Sequence, residues 1–297
     1  MKILIIGGSY FLGKTFTMMA CGMHELYVMN RGNRPFDSDE MIEYVMDRHD
    51  VEKLANIPET YFDVVVDFCA YDKGDIELIF RNLKADFRQY IYISTCDVYR
   101  RGSMERLDES AAFEERDFGG AAGAYIMGKV RLEEELKRCA KERQVAYTSI
   151  RPAFIYGPEN YAPREAVYFN WILTAGQIIH PYDADGEFQM VFVYDAAKAI
   201  LLACGNEKAF NRAFNLCNDE SMTYEDFADL MEEVLELPFE RVELSVKDVQ
   251  ERQIPLPFPL TKQESEWYDG TAVKELGLQY TDISKGMKIT ADYFKEN

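Results

Sequence analysis

The feature that most constrains the fold is an alternation of short apolar runs with helical stretches through the first half of the 297-residue chain. Strands buried on both faces are apolar along their whole length, so such runs predict a parallel sheet covered by helices. Six runs fit this pattern: KILIIGG, HELYVMNRG, MIEYVMDR, FDVVVDFCA, RQYIYISTC and VAYTSIRPA. The sequence therefore predicts a doubly wound α/β fold, in which ligands bind at the carboxyl ends of the strands.

The rhythm changes after about residue 152, where loop-rich aromatic segments replace the regular alternation. A strand-helix pair and one further strand follow, and they fit the predicted sheet. We expect a Rossmann domain over residues 1–157, completed by about 189–218, and a smaller C-terminal α+β substrate-binding cap over 158–188 and 219–297.

Composition narrows the classes of ligand. A net charge of −19 repels nucleic acid and anionic membranes, so a phosphate site must rest on local basic groups and backbone amides. Six cysteines without a C-x-x-C pair and three widely separated histidines argue against a disulfide framework or a metal site. The chain begins directly with a strand pattern and has no apolar run of bilayer-spanning length, so we expect a cytoplasmic protein.

The first predicted strand runs into the turn GGSYFLGKT, with tyrosine in the middle of Gly7-x-x-Tyr10-x-x-Gly13. Glycines in a strand-to-helix turn let backbone amides approach a pyrophosphate, and the helix N-terminus adds a favourable partial charge. Tighter packing of the strand on the helix is the alternative role for such a turn. We predict that seven residues here contact a cofactor: Gly7, Gly8, Ser9, Tyr10, Phe11, Leu12 and Gly13.

The end of the second strand, VMNRGNR, bears on which dinucleotide binds. A site that prefers NAD offers an acid there to the ribose hydroxyls, whereas NADP needs a nearby arginine for its phosphate. Asn30 stands in the place of the acid, and Arg31 and Arg34 carry guanidinium groups that suit a phosphate. Surface solubility is the alternative role for the two arginines. We expect NADP to be favoured over NAD.

Residues after the next two strands are candidates for the two ends of the cofactor. Asp47 follows the third strand, where it can receive the adenine edge or cap a turn. Ala70 and Tyr71 follow the fourth strand, where the sheet should open onto the nicotinamide side.

The stretch GAYIMGKVRLEEEL carries Tyr125 four residues before Lys129, so both side chains lie on one helix face. An ammonium beside a phenol favours phenolate, so we expect Lys129 to lower the pKa of Tyr125 and make it an acid/base near neutral pH. A packed tyrosine and a solvated lysine are the alternative. Thr95 ends the fifth strand facing this helix and can hydrogen-bond a substrate carbonyl or alcohol.

Five motifs in this order resemble the extended short-chain dehydrogenase/reductase family, in its nucleotide-sugar epimerase/dehydratase branch: GGSYFLG, ISTCDVY, YIMGK, RPAFIYGP and VFVYDAAKA. The resemblance covers nearly the whole chain. It implies hydride exchange between a substrate carbon and a nicotinamide, with Thr95, Tyr125 and Lys129 as catalytic residues. It also implies that Pro152 and Ala153 meet the nicotinamide carboxamide.

The chain departs from the family pattern at three places. Tyr10 replaces the middle glycine and is expected to crowd the turn, and Asn30 replaces the usual acid. Cys96-Asp97 stands where sugar-nucleotide dehydratases often carry Asp-Glu, and a thiol donates a proton poorly to a leaving hydroxyl, which disfavours dehydration. Asp97 stays a candidate on the substrate side, together with Arg164 as an anion ligand.

These observations favour an NAD(P)-dependent epimerase or reductase acting on a nucleotide sugar or a related hydroxyl or carbonyl compound. The alternative is a non-catalytic dinucleotide-sensing or RNA-binding member of the same fold, like the chloroplast stem-loop-binding branch. Such proteins often lose the tyrosine or the lysine, which this chain keeps, and its negative charge disfavours RNA. Relatives often pair through helices corresponding to DIELIFRNLK and KVRLEEELKRCAKE, so the resemblance also implies a homodimer.

Overall fold

The structure is a computed structural model that describes residues 1–36, 38–103 and 105–296. Its strands are β1 (Lys2–Ile6), β2 (Glu25–Asn30), β3 (Met41–Val45), β4 (Tyr61–Asp67), β5 (Asp86–Ile93), β6 (Ala146–Pro152), β7 (Phe154–Tyr156), β8 (Gln177–Pro181), β9 (Phe188–Phe192), β10 (Arg212–Leu216), β11 (Ser221–Met222) and β12 (Glu240–Leu244). Its α-helices are α1 (Phe11–Ala20), α2 (Val51–Ala55), α3 (Asp75–Asn82), α4 (Gly120–Arg143), α5 (Glu165–Ala175), α6 (Val193–Ala203), α7 (Tyr224–Leu235), α8 (Val246–Glu251) and α9 (Ile283–Glu296).

Seven strands of the described chain form one parallel sheet in the order β10-β6-β5-β4-β1-β2-β3. The six apolar runs of the sequence coincide with β1 to β6, so the predicted doubly wound α/β fold is confirmed. The order reverses between β1 and β4, and this reversal leaves a crevice at the carboxyl ends of the strands. The chain returns to this sheet at β10, as expected for residues 189–218. The other strand of that region, β9, was also expected in this sheet, but it pairs with β7 and β11 in a separate sheet.

Strand β1 shows how the sequence builds both faces of the sheet. Side chains alternate across a strand. Ile3 and Ile5 accordingly enter the apolar cluster beneath α1 and α6, whereas Leu4 and Ile6 enter the cluster beneath α3 and α4. All four side chains are fully buried. After Lys2 the strand is apolar because each of its faces is covered.

The C-terminal part adds two small sheets, β11-β9-β7 and β12-β8, packed among α5, α7 and α9. The rings of Phe188 and Phe258 stack there at a centroid distance of 3.8 Å. These rings join the apolar cluster that also contains α1 and α6, so the C-terminal part is packed against one edge of the crevice. Within the described ranges, no helix combines the length and the apolarity that a bilayer crossing requires.

Candidate active site

A cavity of about 910 Å³ lies at the carboxyl ends of the parallel strands, within the size range of small-molecule sites. Most of the site residues predicted from the sequence line it. These are Gly7, Gly8, Ser9, Tyr10, Phe11, Leu12, Gly13, Asn30, Arg31, Asp47, Tyr71, Thr95, Asp97, Tyr125, Lys129, Pro152, Ala153 and Arg164. Two of the predicted cofactor contacts, Arg34 and Ala70, lie outside the lining as far as the chain is described.

The turn between β1 and α1 needs glycine at three of its positions. Gly7 and Gly8 have φ angles of +91° and +81°, which other residues rarely adopt. At Gly13 a Cβ atom would lie 2.7 Å from the Cα atom of Gly8, so any side chain there would push the helix away from the turn. The glycines at both ends of the sequence pattern are thus fixed by backbone geometry.

The middle position of the pattern needs no glycine. Tyr10 has φ −133° and ψ 142°, an extended conformation open to any residue. Tyr10 is 45% exposed, and its ring is covered by the Arg34 guanidinium, 4.0 Å from the ring centroid. The expectation that Tyr10 crowds the turn is therefore wrong. Arg34 was predicted to contact the cofactor, but its guanidinium lies against the Tyr10 ring and is not part of the cavity lining described for the chain.

The N-terminus of α1 faces the cavity with free hydrogen-bond donors. No side chain among the described residues caps this end, and the first turn has no acidic residue. The first N–H groups of a helix have no partner inside the helix, and the helix dipole favours an anion there. These donors fit the pyrophosphate of a dinucleotide, which is the group that such a turn binds.

A segment after β7 closes over this turn from the other side. The Tyr161 ring makes edge-to-face contacts with Tyr10 and Phe11, at centroid distances of 6.1 and 6.2 Å. Close by, Lys14 Nζ lies 2.6 Å from Glu159 Oε1 in an ion pair. The loop that carries Tyr161 thus contacts the glycine-rich turn, and Tyr161 itself lines the cavity. In the sequence, Tyr161 is one of several aromatic residues in the loop-rich segment after residue 152, and nothing there distinguishes it from the others.

The end of β2 has no carboxylate of its own. Asn30 Oδ1 accepts a hydrogen bond from Gly32 N at 2.7 Å, and Asn30 Nδ2 donates to Glu43 Oε2 at 3.3 Å. Hydrogen bonds from the backbone and ring of His49 lower the pKa of the Asp47 carboxyl. Arg31 lines the cavity and lowers this pKa to a smaller extent. The arginine that the structure leaves beside the cavity is Arg31.

Tyr125 and Lys129 lie on one face of α4, as the spacing predicts, but they do not interact as expected. Lys129 is 3% exposed, and its Nζ donates hydrogen bonds to the carbonyls of Ala70 and Ile93 at 3.0 and 2.9 Å. Nζ lies 5.8 Å from the centroid of the Tyr125 ring. Ala70 is therefore an anchor for the lysine through its backbone.

We expected the pKa of Tyr125 to be lowered, and this expectation is wrong, because the pKa is raised. Burial and, to a smaller extent, the Asp97 carboxylate raise the pKa of Tyr125 to about 12, although Thr95 and Arg164 act in the opposite direction. Burial also lowers the pKa of Lys129 to about 8. The lysine is fixed to the sheet by its two hydrogen bonds. Because the pKa of Tyr125 is raised, Tyr125 is a phenol at neutral pH and can donate a proton.

Thr95 sits next to a carboxylate at this end of the cavity. Thr95 Oγ1 donates to Asp97 Oδ2 at 3.1 Å, and Asp97 Oδ1 accepts from Arg101 at 2.9 Å. The Cys96 thiol is buried and donates to the Arg151 carbonyl at 3.0 Å, so it is not placed to protonate a substrate. Asp97 is accordingly the acidic group nearest the hydroxyl of Thr95.

The outer wall of this end carries charges of both signs. The Arg164 guanidinium lies 4.8 Å from the centroid of the Phe154 ring and lines the cavity. Three acids contributed by the C-terminal part line the same end: Glu187, Glu264 and Glu266. The sequence offered no signal for these acids, because they lie more than ninety residues beyond Thr95 and join the site only through the fold.

A buried ion pair behind the site was not predicted from the sequence. Glu133 on α4 and Arg151 on β6 are 0% and 1% exposed and form two hydrogen bonds, at 2.8 and 3.0 Å. Ser149 Oγ also donates to Glu133 at 2.5 Å. The pair fixes α4, which carries Tyr125, to the sheet. A charged residue inside the apolar run VAYTSIRPA was the one available sign, because a buried charge needs a partner.

The lowered pKa of Lys129 predicts a pH-dependent stability. The unfolded lysine titrates near 10.5 and the folded one near 8, so the unfolded chain binds more protons between these values and stability rises with pH. We expect the unfolding free energy of the wild type, relative to Lys129→Met, to rise by roughly 3 kcal/mol across this window. Urea unfolding at pH 7 to 10.5 measures it, with the exposed Lys141→Met as control. A difference that does not change with pH would contradict the assignment.

No cluster of histidine, cysteine or carboxylate side chains in the described ranges is arranged to hold a metal ion. A parallel sheet whose first turn and helix offer glycines and free amides to a pyrophosphate defines the class of Rossmann-fold dinucleotide-binding proteins. Within that class, the model of the NAD dependent epimerase/dehydratase family matches residues 72–217. This is the family that the sequence motifs predicted, and the match covers 146 of the 297 residues.

The chain is similar to chloroplast stem-loop binding protein of 41 kDa b from Arabidopsis thaliana, with 29% identity over 243 residues. That match covers 76% of this chain and 61% of the relative, which is less than two thirds of its length.

Solved structures share the whole architecture at low identity. UDP-glucose 4-epimerase from Thermotoga maritima, solved with UDP-glucose, has a TM-score of 0.79 at 20% identity, over 100% of this chain and 99% of the other. The dTDP-glucose 4,6-dehydratase of Streptomyces venezuelae, solved with NAD, has a TM-score of 0.78 at 17% identity, over 100% and 98%. At these identities the similarity establishes the fold.

Proposed function

We propose that the protein is an NAD(P)-dependent epimerase or reductase, in which Tyr125 moves the proton of a substrate hydroxyl or carbonyl. The observation that carries this proposal is the meeting of Tyr125, Thr95 and the buried Lys129 in one cavity with the glycine-rich turn. The family match over residues 72–217 supports it, because that family is described as NAD dependent epimerases and dehydratases.

The residues of the cavity fit a dinucleotide. The amides at the start of α1 would hold the pyrophosphate, and Pro152 and Ala153 would meet the nicotinamide end. When bound, the nicotinamide supplies the hydride donor or acceptor, and the protein supplies position and proton transfer. Tyr161 would limit the access of water to the turn beneath it.

The chain's own part in the reaction is proton transfer at one oxygen. Tyr125, protonated at neutral pH, is suited to donate its proton to a substrate carbonyl and to take it back from an alcohol. Thr95, two residues beyond β5, would accept a hydrogen bond from a substrate hydroxyl, since its own proton is donated to Asp97. Asp97 keeps Thr95 oriented through the 3.1 Å hydrogen bond.

The substrate we propose is a nucleotide sugar or a related hydroxyl or carbonyl compound. The solved neighbours support this class, since one was solved with UDP-glucose and another with UDP-N-acetylmuramic acid. In this chain Arg164 is the cavity-lining cation best placed for an anionic group of such a substrate, because Arg101 is already paired with Asp97.

Turnover experiments separate the two activities. An epimerase keeps its cofactor through both half-reactions, so the purified protein should interconvert a sugar nucleotide without added dinucleotide. A reductase should consume one reduced dinucleotide per product. Incubation with UDP-glucose and related sugar nucleotides, with product analysis and absorbance at the nicotinamide band, measures both. The absence of dinucleotide binding in a thermal-shift assay would overturn the proposal for either activity.

We infer that NADP is favoured over NAD, because Arg31 lines the cavity at the end of β2, where Asn30 replaces an acid. A guanidinium-phosphate contact is worth about 1.5–3 kcal/mol. Arg31→Ala should therefore weaken NADPH binding by about 10-fold to 100-fold and leave NADH binding within about twofold. Fluorescence titration measures both affinities, and Arg34→Ala is the comparison. An equal loss for both dinucleotides would remove the argument for NADP.

A second candidate function rests on the curated relative, which is named a stem-loop binding protein. This chain would then bind RNA without turning over a dinucleotide. Its net charge of −19 opposes that role. Titration of a labelled RNA stem-loop at low and high salt tests it, and salt-dependent binding without any dinucleotide turnover would favour this alternative.

A further inference from the structure

We propose that His49 is a positioning residue for the cofactor: it holds Asp47 so that this carboxylate accepts a hydrogen bond from the exocyclic amino group of adenine. The inference rests on the proposed dinucleotide site and adds a device that selects the base. His49 and Asp47 both line the cavity just beyond β3.

Asp47 is held by hydrogen bonds to only one of its two carboxylate oxygens among the described residues. Asp47 Oδ1 lies 2.9 Å from both the backbone N and the ring Nδ1 of His49. Every side-chain hydrogen bond of Asp47 within the described residues is made through Oδ1. The second oxygen, Oδ2, is therefore left for a ligand, and the Asp47 side chain is 49% exposed toward the cavity region.

The other side of the imidazole is anchored in the protein core. His49 Nε2 lies 2.9 Å from Oδ1 of Asp75, whose side chain is only 6% exposed. Asp75 Oδ2 accepts from the backbone N atoms of Tyr71 and Asp72, at 2.9 and 3.1 Å. Asp75 cannot turn away without losing these bonds, so it fixes the ring, and the ring fixes Asp47.

Arg48 stiffens the same corner of the cavity. Its guanidinium binds both oxygens of Asp67 at 3.0 and 2.9 Å, and donates to the Asp75 carbonyl at 2.7 Å. These contacts join the end of β3 to the end of β4 and the start of α3. The loop that carries Asp47 and His49 is thus held on a rigid support, as a site that discriminates between bases requires.

The chemistry of the ligand follows from the free oxygen. An ionised carboxylate only accepts hydrogen bonds, so Asp47 Oδ2 selects a base that presents a donor. Adenine presents an exocyclic amino group, whereas hypoxanthine presents a carbonyl oxygen at the same place. If Asp47 Oδ2 faces that carbonyl oxygen, neither oxygen has a hydrogen-bond donor, and the two oxygens repel each other. The clamp formed by Asp47, His49 and Asp75 should therefore discriminate between the two bases.

The clamp depends on the charge of the imidazole. Both ring nitrogens donate only in the protonated form, and here each faces a carboxylate. The charged groups around His49 are Asp47 on its own loop, Asp75 at the start of α3, Arg48 bound to Asp75, and Arg31 beside Asp47. The two carboxylates raise the pKa of His49 above its usual 6.5. Discrimination should be complete below pH 6.5 and should decline as the pH rises through the folded pKa.

Three reduced cofactors test the inference on the full chain: NADPH, its hypoxanthine analogue deamino-NADPH, and nicotinamide mononucleotide, which lacks the adenosine half. The wild type at pH 6 should bind NADPH about tenfold or more tightly than the analogue, the scale of one charge-assisted hydrogen bond. In His49→Ala that ratio should fall to within about twofold, with the affinity for the mononucleotide unchanged. His24→Gln is the matched control, because His24 precedes β2 at the amino-terminal ends of the strands and lies outside the cavity lining described for the chain.

Each outcome has one meaning. A ratio that survives in His49→Ala, or that is absent from the wild type although all three cofactors bind, overturns the role of His49 and leaves the proposed function standing. If the wild type binds neither NADPH nor the mononucleotide, the proposed function fails and this inference fails with it. A ratio that is lost in His49→Ala, and that declines between pH 6 and pH 9 in the wild type, supports the clamp.

Discussion

Replacement of Tyr125 by phenylalanine should lower kcat by about 10²-fold to 10⁴-fold, the usual scale of a lost general acid/base. The change removes one hydroxyl and keeps the ring, which is 41% exposed at the cavity. Dinucleotide affinity should stay within about twofold, because the helix N-terminus and the glycine-rich turn are untouched. Single-turnover and steady-state rates with a substrate that the wild type converts measure kcat, and a dinucleotide titration measures the affinity.

Tyr194→Phe is a matched control for Tyr125→Phe. Tyr194 is 42% exposed, nearly the same as Tyr125, but it lies on α6 outside the cavity lining described for the chain. Its replacement should leave kcat unchanged. If Tyr125→Phe turns over at the wild-type rate, another group moves the proton, and Asp97 beside Thr95 would be the next to test.

Glu133→Ala should lower the free energy of unfolding by about 3–5 kcal/mol, because it leaves the Arg151 charge buried without its partner. Burial favours the neutral carboxyl, but the Arg151 charge and the hydrogen bonds around it outweigh this and lower the pKa of Glu133. The stabilisation should therefore be present above pH 4.5 and should be lost as the pH falls through the folded pKa. Urea unfolding between pH 3 and pH 8 measures the effect.

Two variants make this result specific to the ion pair. Glu134→Ala changes the exposed neighbour on the same helix and should alter stability by no more than about 0.5 kcal/mol. The double variant Glu133→Leu with Arg151→Met removes both charges and should recover most of the lost stability, since apolar replacements of buried pairs are often neutral. A loss below about 1 kcal/mol in Glu133→Ala would show that water reaches Arg151.

The fold could be predicted because its signal is local. Continuous apolar runs such as VVVD and YIYIS reflect strands covered on both faces, and the helices between them force a parallel sheet. The glycines of the first turn could be predicted for the same reason, because Gly7, Gly8 and Gly13 are required by backbone geometry within one short segment. The match of residues 72–217 to the epimerase/dehydratase family was predicted from motifs that occur in a fixed order.

The electrostatics of the site could not be predicted in this way. The four-residue spacing placed Tyr125 and Lys129 on one helix face, but the ammonium binds two carbonyls from elsewhere in the chain. These are Ala70, in the loop after β4, and Ile93, the last residue of β5. Arg34 was expected to bind phosphate, but the ring of Tyr10 covers it. A pKa or the direction of a long side chain depends on neighbours that the chain brings from distant positions.

Local sequence was enough to predict the parallel sheet, the glycine-rich turn and the shared helix face of Tyr125 and Lys129, because each depends on the periodicity or backbone freedom of neighbouring residues. The partner of each charge depended on how distant segments pack together. Glu133 meets Arg151, His49 lies between Asp47 and Asp75, and Lys129 binds the sheet. Burial makes such contacts strong, and burial is a property of the packed chain, which no local stretch of sequence contains.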